Sequence, residues 1–363
     1  MSSTIGYTYD DKLLIPSYSE IKSRSEYTDT QSELFKDVCF DIPVIPANMN
    51  MITEHKMIIS MLSLGGTAAL HRFMSPDDVA NQISSIIQDG FVGNGINVVK
   101  KFGISIGVDK KYYNLVFSEL DKKDLLNSVG YVIVDVAHGD HVLVKEALKD
   151  IRSNFEFPII AGNICTPEAA MRLVEWGAST LKAGVGPGGI CTTRIKIGVG
   201  YPQLSAVHNI YKCLVKNNIK DVRLIADGGI KQEGDIVKAL AAGADFVMVG
   251  GMVAGTDDTP GNVITMHGKK YKIYEGLASL DAQINFFNKS SDDVAPEGEA
   301  TRVEYKGKDS LKKTIKRIKK YIQTGLSYTG CRNLKELKEF GLDDKNWIVQ
   351  TSAGIIEGTP HGT

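Results

Sequence analysis

Ser179-Thr-Leu-Lys-Ala-Gly-Val-Gly-Pro-Gly-Gly-Ile-Cys-Thr-Thr-Arg194 joins a short apolar run to a glycine-rich loop that ends in one cysteine. Two folds compete for it. Gly184, Gly186 and Gly189 satisfy G-x-G-x-x-G, the phosphate fingerprint of a dinucleotide-binding βαβ unit. Against that reading, Pro187 lies inside the match, Cys191-Thr-Thr-Arg194 stands where a helix should open, and no acidic residue sits about 20 positions on. The loop reads better as a tight platform for a thiol, because glycine tolerates positive φ and puts no side chain between backbone and ligand. Cys191 lies beside Thr192, Thr193 and Arg194. A nearby guanidinium or a set of backbone N–H groups would lower its pKa and raise the thiolate fraction, which makes it the candidate nucleophile.

Working outward, the run before the loop is one of a series. Apolar, mostly β-branched stretches recur at Pro43–Ala47, Gly66–Leu70, Gly103–Gly107, Tyr131–Val136, Pro158–Ala161, Ser179–Ala183, Val222–Ala226 and Asp245–Val249. Helical patterns separate them, the first from Thr53 to Leu64, and some carry N-terminal signatures: Ser75-Pro-Asp-Asp, Thr166-Pro-Glu-Ala and Gln232-Glu-Gly-Asp. Continuous apolar strands alternating with helices imply a parallel sheet covered on both faces. Eight such units predict a (β/α)8 barrel, with an open doubly wound sheet as the alternative. Residues 1–363 read as a single barrel domain.

After the eighth strand, 256–308 has little periodicity apart from Lys269–Tyr274, a candidate edge strand, and reads as a lid over the barrel mouth. Ser310–Gln323 then places Leu311, Ile315, Ile318 and Ile322 on one helical face. Lys312, Lys313, Lys316, Lys319 and Lys320 fall elsewhere and read as the solvated side of the eighth helix. The tail Trp347–Ile356 is expected to pair or dock.

Composition narrows the function classes. The chain has 363 residues, 43% of them hydrophobic, and a formal net charge of −1. Charge is interspersed, so there is no electrostatic footprint for nucleic acid or for a membrane surface. Cys39, Cys165, Cys191, Cys213 and Cys331 are odd in number, widely spaced and never in C-x-x-C. That disfavours a disulfide framework or a zinc site and fits a reducing, cytoplasmic setting. The N-terminus carries no signal-peptide pattern and no apolar run reaches 18 residues.

In such a barrel the strand C-termini and the loops after them form the active face. They carry Asn48-Met49 after strand one, His71-Arg72 after strand two, Asp135 and His138 after strand four and Asn163 after strand five. The cysteine loop follows strand six, Asp227-Gly228-Gly229 strand seven and Gly250-Gly251 strand eight. Backbone N–H groups after strands seven and eight commonly hold a phosphate, so a phosphorylated ligand is expected, with Asp227 accepting from ribose hydroxyls. For His71 and His138, ligand contact and ordinary loop hydrogen bonding both stay open.

The cysteine loop, Gly198-Val-Gly-Tyr-Pro-Gln203, Ala226-Asp-Gly-Gly229 and Met248-Val-Gly-Gly251 together resemble the IMP dehydrogenase / GMP reductase family, from Pro46-Ala-Asn-Met49 to Tyr305-Lys-Gly307. The resemblance implies a (β/α)8 barrel, a homotetramer, a purine 5′-monophosphate and a nicotinamide cofactor. It implies catalysis by Cys191, which adds to purine C2, with Thr193 and Glu297. Asp227, Gly228, Gly229, Gly250 and Gly251 would hold ribose and phosphate, with Gly276, Leu277, Ala278 and Gly298 near the base. Arg72, Asp135, Val136, Ala137 and Asn163 would face the cofactor. Carbonyls of Gly186, Gly188, Cys191 and Arg194 would surround a monovalent cation such as K+.

Within the family the resemblance points to GMP reductase, which converts GMP to IMP and ammonia with NADPH. Pro187, Cys191-Thr-Thr-Arg194 and Gly200-Tyr-Pro-Gln203 look reductase-like. The dehydrogenase flap carries an Arg-Tyr pair that activates water, and 274–296 contains no arginine. The small regulatory (CBS) domain common in dehydrogenases is expected to be absent. By contrast, Pro296-Glu-Gly298, Val303–Gly307 and Ser352-Ala-Gly354 resemble dehydrogenase ends, and Gly276-Leu-Ala-Ser279 departs from the reductase pattern. The alternatives are an IMP dehydrogenase with an atypical flap, and a catalytically inactive purine-nucleotide-binding homologue.

Overall fold

Eight parallel strands form one sheet in the computed structural model, which describes residues 5–93, 95–275 and 300–359. They are β1 (Val44–Pro46), β2 (Ala69–Leu70), β3 (Gly103–Ile106), β4 (Tyr131–Asp135), β5 (Ile159–Ile164), β6 (Thr180–Ala183), β7 (Arg223–Asp227) and β8 (Phe246–Val249). Each lies within or against one of the eight apolar runs. The ladder passes from β2 through β3 to β8 in sequence order, and β8 then pairs with β1 through Val247–Val44 and Val249–Pro46. This return to the first strand makes a nearly closed (β/α)8 barrel and rules out the open doubly wound sheet.

The strands are apolar on both faces because each face meets a different partner. In β4, Val132 and Val134 join the layer shared with the helices, whereas Tyr131 and Ile133 point to the barrel interior with Ile160, Ile225, Phe246 and Met248. The helices that cover the outside are α1 (His55–Ser63), α2 (Pro76–Ile87), α3 (Lys110–Lys122), α4 (Val142–Asn154), α5 (Pro167–Glu175), α6 (Gln203–Lys216), α7 (Glu233–Ala241) and α8 (Ser310–Thr329). Their starts follow from local chemistry. Ser75 Oγ accepts from Asp78 N, Thr166 Oγ1 from Ala169 N, and Asp235 Oδ2 from Gln232 N, so side chains satisfy amides that the first turn leaves unpaired. In α8 the four expected apolar residues are buried, and Lys312, Lys313, Lys316 and Lys320 are exposed.

One end of the barrel is plugged. Ser32–Phe35 and Val38–Phe40 form a hairpin whose Leu34, Phe35 and Phe40 enter the interior cluster. Ser32 Oγ donates to Asp245 O at 2.7 Å and Thr180 Oγ1 to Leu34 O at 2.5 Å, at the N-terminal ends of β8 and β6. Only the opposite mouth, at the strand C-termini, is left for chemistry.

Beyond β8 the expectation needs correction. Lys269–Glu275 is not an edge strand; it is the middle of an antiparallel sheet, between Ile264–Met266 and Ala300–Glu304. Its second partner comes from sequence that carries no clear period. Within the expected lid, 276–299 falls outside the described residues. The tail pairs as expected: Trp347–Val349 runs antiparallel to Lys12–Leu14.

Candidate active site

Cys191 is partly buried on the loop between β6 and α6, just before a one-turn helix, Thr193–Ile197. Cys191 N donates to Gly188 O at 3.0 Å, which closes a turn beneath the thiol. Cys191 Sγ and Thr193 Oγ1 are 3.1 Å apart, so the two expected catalytic side chains share a hydrogen bond. Arg194 Nε donates to Val185 O at 3.2 Å and its terminal nitrogen to Tyr201 O. The guanidinium thus staples the two limbs of the loop, a geometric role beyond the charge expected of it.

The loop leans on β7. An ideal Cβ on Gly184 would lie 2.1 Å from Asp227 O, and φ at Gly184 is +151°, so any larger residue would force the two segments apart. Gln203 Nε2 ties both sides, donating to Ala183 O at 2.8 Å and Asp227 O at 3.2 Å. Gly228 and Gly229 then pack against Pro187. The thiol loop and the Asp227 turn therefore move as one piece.

Asp135, Asn163 and Asp227 come from the ends of β4, β5 and β7, and a residue the sequence reading missed joins them. Lys182 in β6 is 3% exposed, and its Nζ lies 2.9 Å from Asp135 Oδ1, 2.7 Å from Asp227 Oδ2 and within hydrogen-bond reach of Asn163 Oδ1. Asn163 Nδ2 donates to Asp227 Oδ2 at 2.8 Å and to Gly184 O at 2.7 Å. Burial alone would raise the Asp135 carboxyl, but the Lys182 and Arg72 cations and hydrogen bonds from Lys182 and Asn48 outweigh it and hold it below its ordinary value. Burial likewise would lower the Lys182 ammonium, and the two carboxylates reverse this and hold it above its ordinary value. The signal for Lys182 was parity: Leu181 and Ala183 face the helices, so Thr180 and Lys182 face inward.

Among the other expected residues, Arg72 lies over the Phe73 ring and near Gly107, within electrostatic reach of Asp135. Val136 O accepts from Asn163 N at 2.8 Å, and Ala137 is exposed. His71 is buried with Nδ1 accepting from Phe73 N at 3.1 Å, which is ordinary loop bonding, whereas His138 is exposed. Gly250 and Gly251 begin the turn after β8, where a Cβ on Gly250 would meet the Tyr274 hydroxyl at 2.3 Å. Tyr274 had no sequence signal, and its phenol, pushed up to about 12 by burial and then by Asp227, stays protonated as a donor. Gly276, Leu277, Ala278, Glu297 and Gly298 lie outside the described residues. Among the described residues no cluster of three or more His, Cys, Asp or Glu is arranged to hold a metal. The carbonyls expected to hold a monovalent cation are an all-oxygen set. Gly188 O accepts from Cys191 N and Arg194 O from Gly198 N, each keeping a second lone pair.

A thiol on the loop after the sixth strand of a (β/α)8 barrel, beside a turn after the seventh that presents a carboxylate and two glycines, defines a class of nucleotide-handling barrel enzymes. The comparisons give the class its family. Residues 6–361 match the family model described as "IMP dehydrogenase / GMP reductase domain", and the chain belongs to that family. It is 34% identical to the inosine-5′-monophosphate dehydrogenase of Borreliella burgdorferi, covering 98% of this chain and 96% of that one. It is 32% identical to the enzyme of that name from Cryptosporidium parvum, over 98% and 95%. The namesake in Nitrosopumilus maritimus is 28% identical over 98% of both chains. The chain is thus an oxidoreductase of a family that uses a nicotinamide cofactor. The names of these relatives favour the dehydrogenase over the expected GMP reductase.

Proposed function

We propose that the chain oxidises IMP to XMP with NAD, the dehydrogenase alternative of the sequence reading. One observation carries this direction: relatives named as IMP dehydrogenases align over 98% of the chain. The Cys191 thiolate adds to C2 of the purine, and hydride leaves C2 as a covalent thioimidate forms. The cofactor, when bound, accepts that hydride. Water then adds to the thioimidate, the C–S bond breaks, and XMP and the free thiol are released with net loss of one proton. Thr193, hydrogen-bonded to Sγ, orients the thiol and moves a proton at that atom. Asp227 takes the nucleotide ribose hydroxyls, and the turns at Gly228-Gly229 and Gly250-Gly251, with Tyr274, take the phosphate. Asp135 and Asn163 face the cofactor, and the carbonyls of Gly186, Gly188, Cys191 and Arg194 hold a monovalent cation.

A second reading rests on a specific observation. The stretch 274–296 contains no arginine, so the resemblance supplies no water-activating Arg-Tyr pair there. Without that pair the same thioimidate serves GMP reduction: ammonia leaves C2, and hydride from NADPH enters. Nicotinamide absorbance separates the two, with IMP plus NAD in one cuvette and GMP plus NADPH in the other. A rise in the first establishes the dehydrogenase. A fall in the second alone, with ammonia released, refutes it in favour of the reductase. Silence in both, with nucleotide still bound, leaves the inactive homologue.

A further inference from the structure

Lys182 takes no part in the covalent steps above, yet it is buried at the centre of the site. A buried ammonium is expensive unless paired, and this one is paired three ways, with acceptors on β4, β5 and β7. The geometry has a consequence for each carboxylate. Asp227 Oδ2 receives both Lys182 Nζ at 2.7 Å and Asn163 Nδ2 at 2.8 Å. Two donors on one oxygen fix the rotation of the carboxylate and reserve Oδ1 for an incoming donor. Asp135 is held from the other side of the same ammonium at 2.9 Å. Without the cation, two carboxylates at neighbouring strand ends would repel, and each would be free to rotate or to take up a proton.

We infer that Lys182 is a positioning residue that sets the ribose-reading carboxylates of both ligands at once, Asp227 for the nucleotide and Asp135 for the nicotinamide cofactor. It thereby makes the site selective for ribose over 2′-deoxyribose. The inference rests on the proposed reading that Asp227 meets ribose hydroxyls. A residue that merely stabilised the barrel would weaken every nucleotide alike. One that orients Asp227 weakens the ribonucleotide and spares the ligand that lacks the hydroxyl.

The test is calorimetric titration of IMP and 2′-deoxy-IMP into wild type, Lys182→Met, Lys182→Arg and Asp135→Asn. Wild type is expected to prefer IMP by about tenfold, the worth of one hydrogen bond to a charged acceptor. Lys182→Met should weaken IMP about tenfold and 2′-deoxy-IMP less than about threefold, collapsing the preference, while Lys182→Arg restores part of it. Equal weakening of both ligands in Lys182→Met overturns the inference. If Lys182→Met does not fold, Asp135→Asn decides. With its second anion gone, Lys182 is drawn to Asp227, and the preference should shift by at least about threefold although Asp135 faces the other ligand. An unchanged preference there overturns the inference too. Wild type that binds both ligands equally refutes the ribose contact itself, and wild type that binds neither refutes the proposed function and the inference with it.

Discussion

Gly184→Ala tests whether the thiol loop and the Asp227 turn are one unit. The added Cβ would lie 2.1 Å from Asp227 O, whereas real Cβ contacts stay beyond 3.0 Å, so the two segments must part by about 1 Å. Such overpacking costs about 1–3 kcal/mol, and alanine at φ +151° adds about 1–3 kcal/mol of backbone strain. The sum, roughly 2–6 kcal/mol, lowers the melting temperature by about 2 °C or more per kcal/mol. The functional loss should be larger. Gly184 O accepts from Asn163 Nδ2 and Gly184 N donates to Ile164 O, so the shift displaces Asn163 along with Asp227. A misplacement of about 1 Å costs on the order of 10²-fold in turnover. Thermal unfolding and nicotinamide absorbance measure the two effects on one preparation. Gly234→Ala is the control, because a Cβ there meets nothing within 4 Å and the position is helical. A Gly184→Ala protein with wild-type melting temperature and turnover would refute the claim that this contact registers the loop.

Cys191→Ala should abolish turnover in both directions while IMP still raises the melting temperature, because the ribose and phosphate contacts survive without the thiol; differential scanning fluorimetry reads the shift. Tyr274→Phe should raise KM for the monophosphate about fivefold to tenfold with little change in kcat, since it removes one donor beside Gly250 and leaves the thiol untouched; initial rates over a nucleotide series check it. The pH dependence of stability should invert in Lys182→Met. In wild type the Asp135 carboxyl lies below its ordinary 3.8, so its contribution is present above 3.8 and is lost as pH falls through the lower folded value, leaving pH 5–8 flat on its account. With the cation gone, burial raises the carboxyls, and stability present at low pH is lost as pH rises through the raised value. The melting-temperature gap to wild type should therefore be smaller at pH 5 than at pH 8, and a constant gap counts against the pairing.

The sequence announces its barrel because each strand is buried on both faces and so appears as an unbroken apolar run, and because loops after strands tolerate glycine and polar residues only where a ligand or a turn needs them. Cys191, Thr193, Asp135, Asn163 and Asp227 were legible for that reason: each follows or ends a run. Lys182 was hidden by the same rule, since one lysine inside Ser179–Ala183 is averaged away unless the inward and outward positions are separated. The plug at Leu34, Phe35 and Phe40 comes from strands of three and four residues, too short to show a period. Tyr274 reaches Gly250 through pairing between Lys269–Glu275 and Ala300–Glu304, a contact between segments that sequence order separates by 276–299.

That pairing also explains how one scaffold serves two directions of the same chemistry. Addition of Cys191 to C2 needs the thiol, its hydroxyl partner and a fixed ribose and phosphate, and these stand on barrel strands and the turns directly after them. The step after addition differs between the branches: water must attack, or ammonia must leave. The stretch 276–299, where the family places the residues that make that choice, departs after Glu275 and returns at Ala300, and these two residues are register partners. The strand that carries it out, Lys269–Glu275, also carries Tyr274 to Gly250. Substitutions within 276–299 therefore alter the fate of the thioimidate while leaving the strand ladder and the Lys182 network intact. Substitutions in β4–β7 disturb the nucleotide in either direction alike.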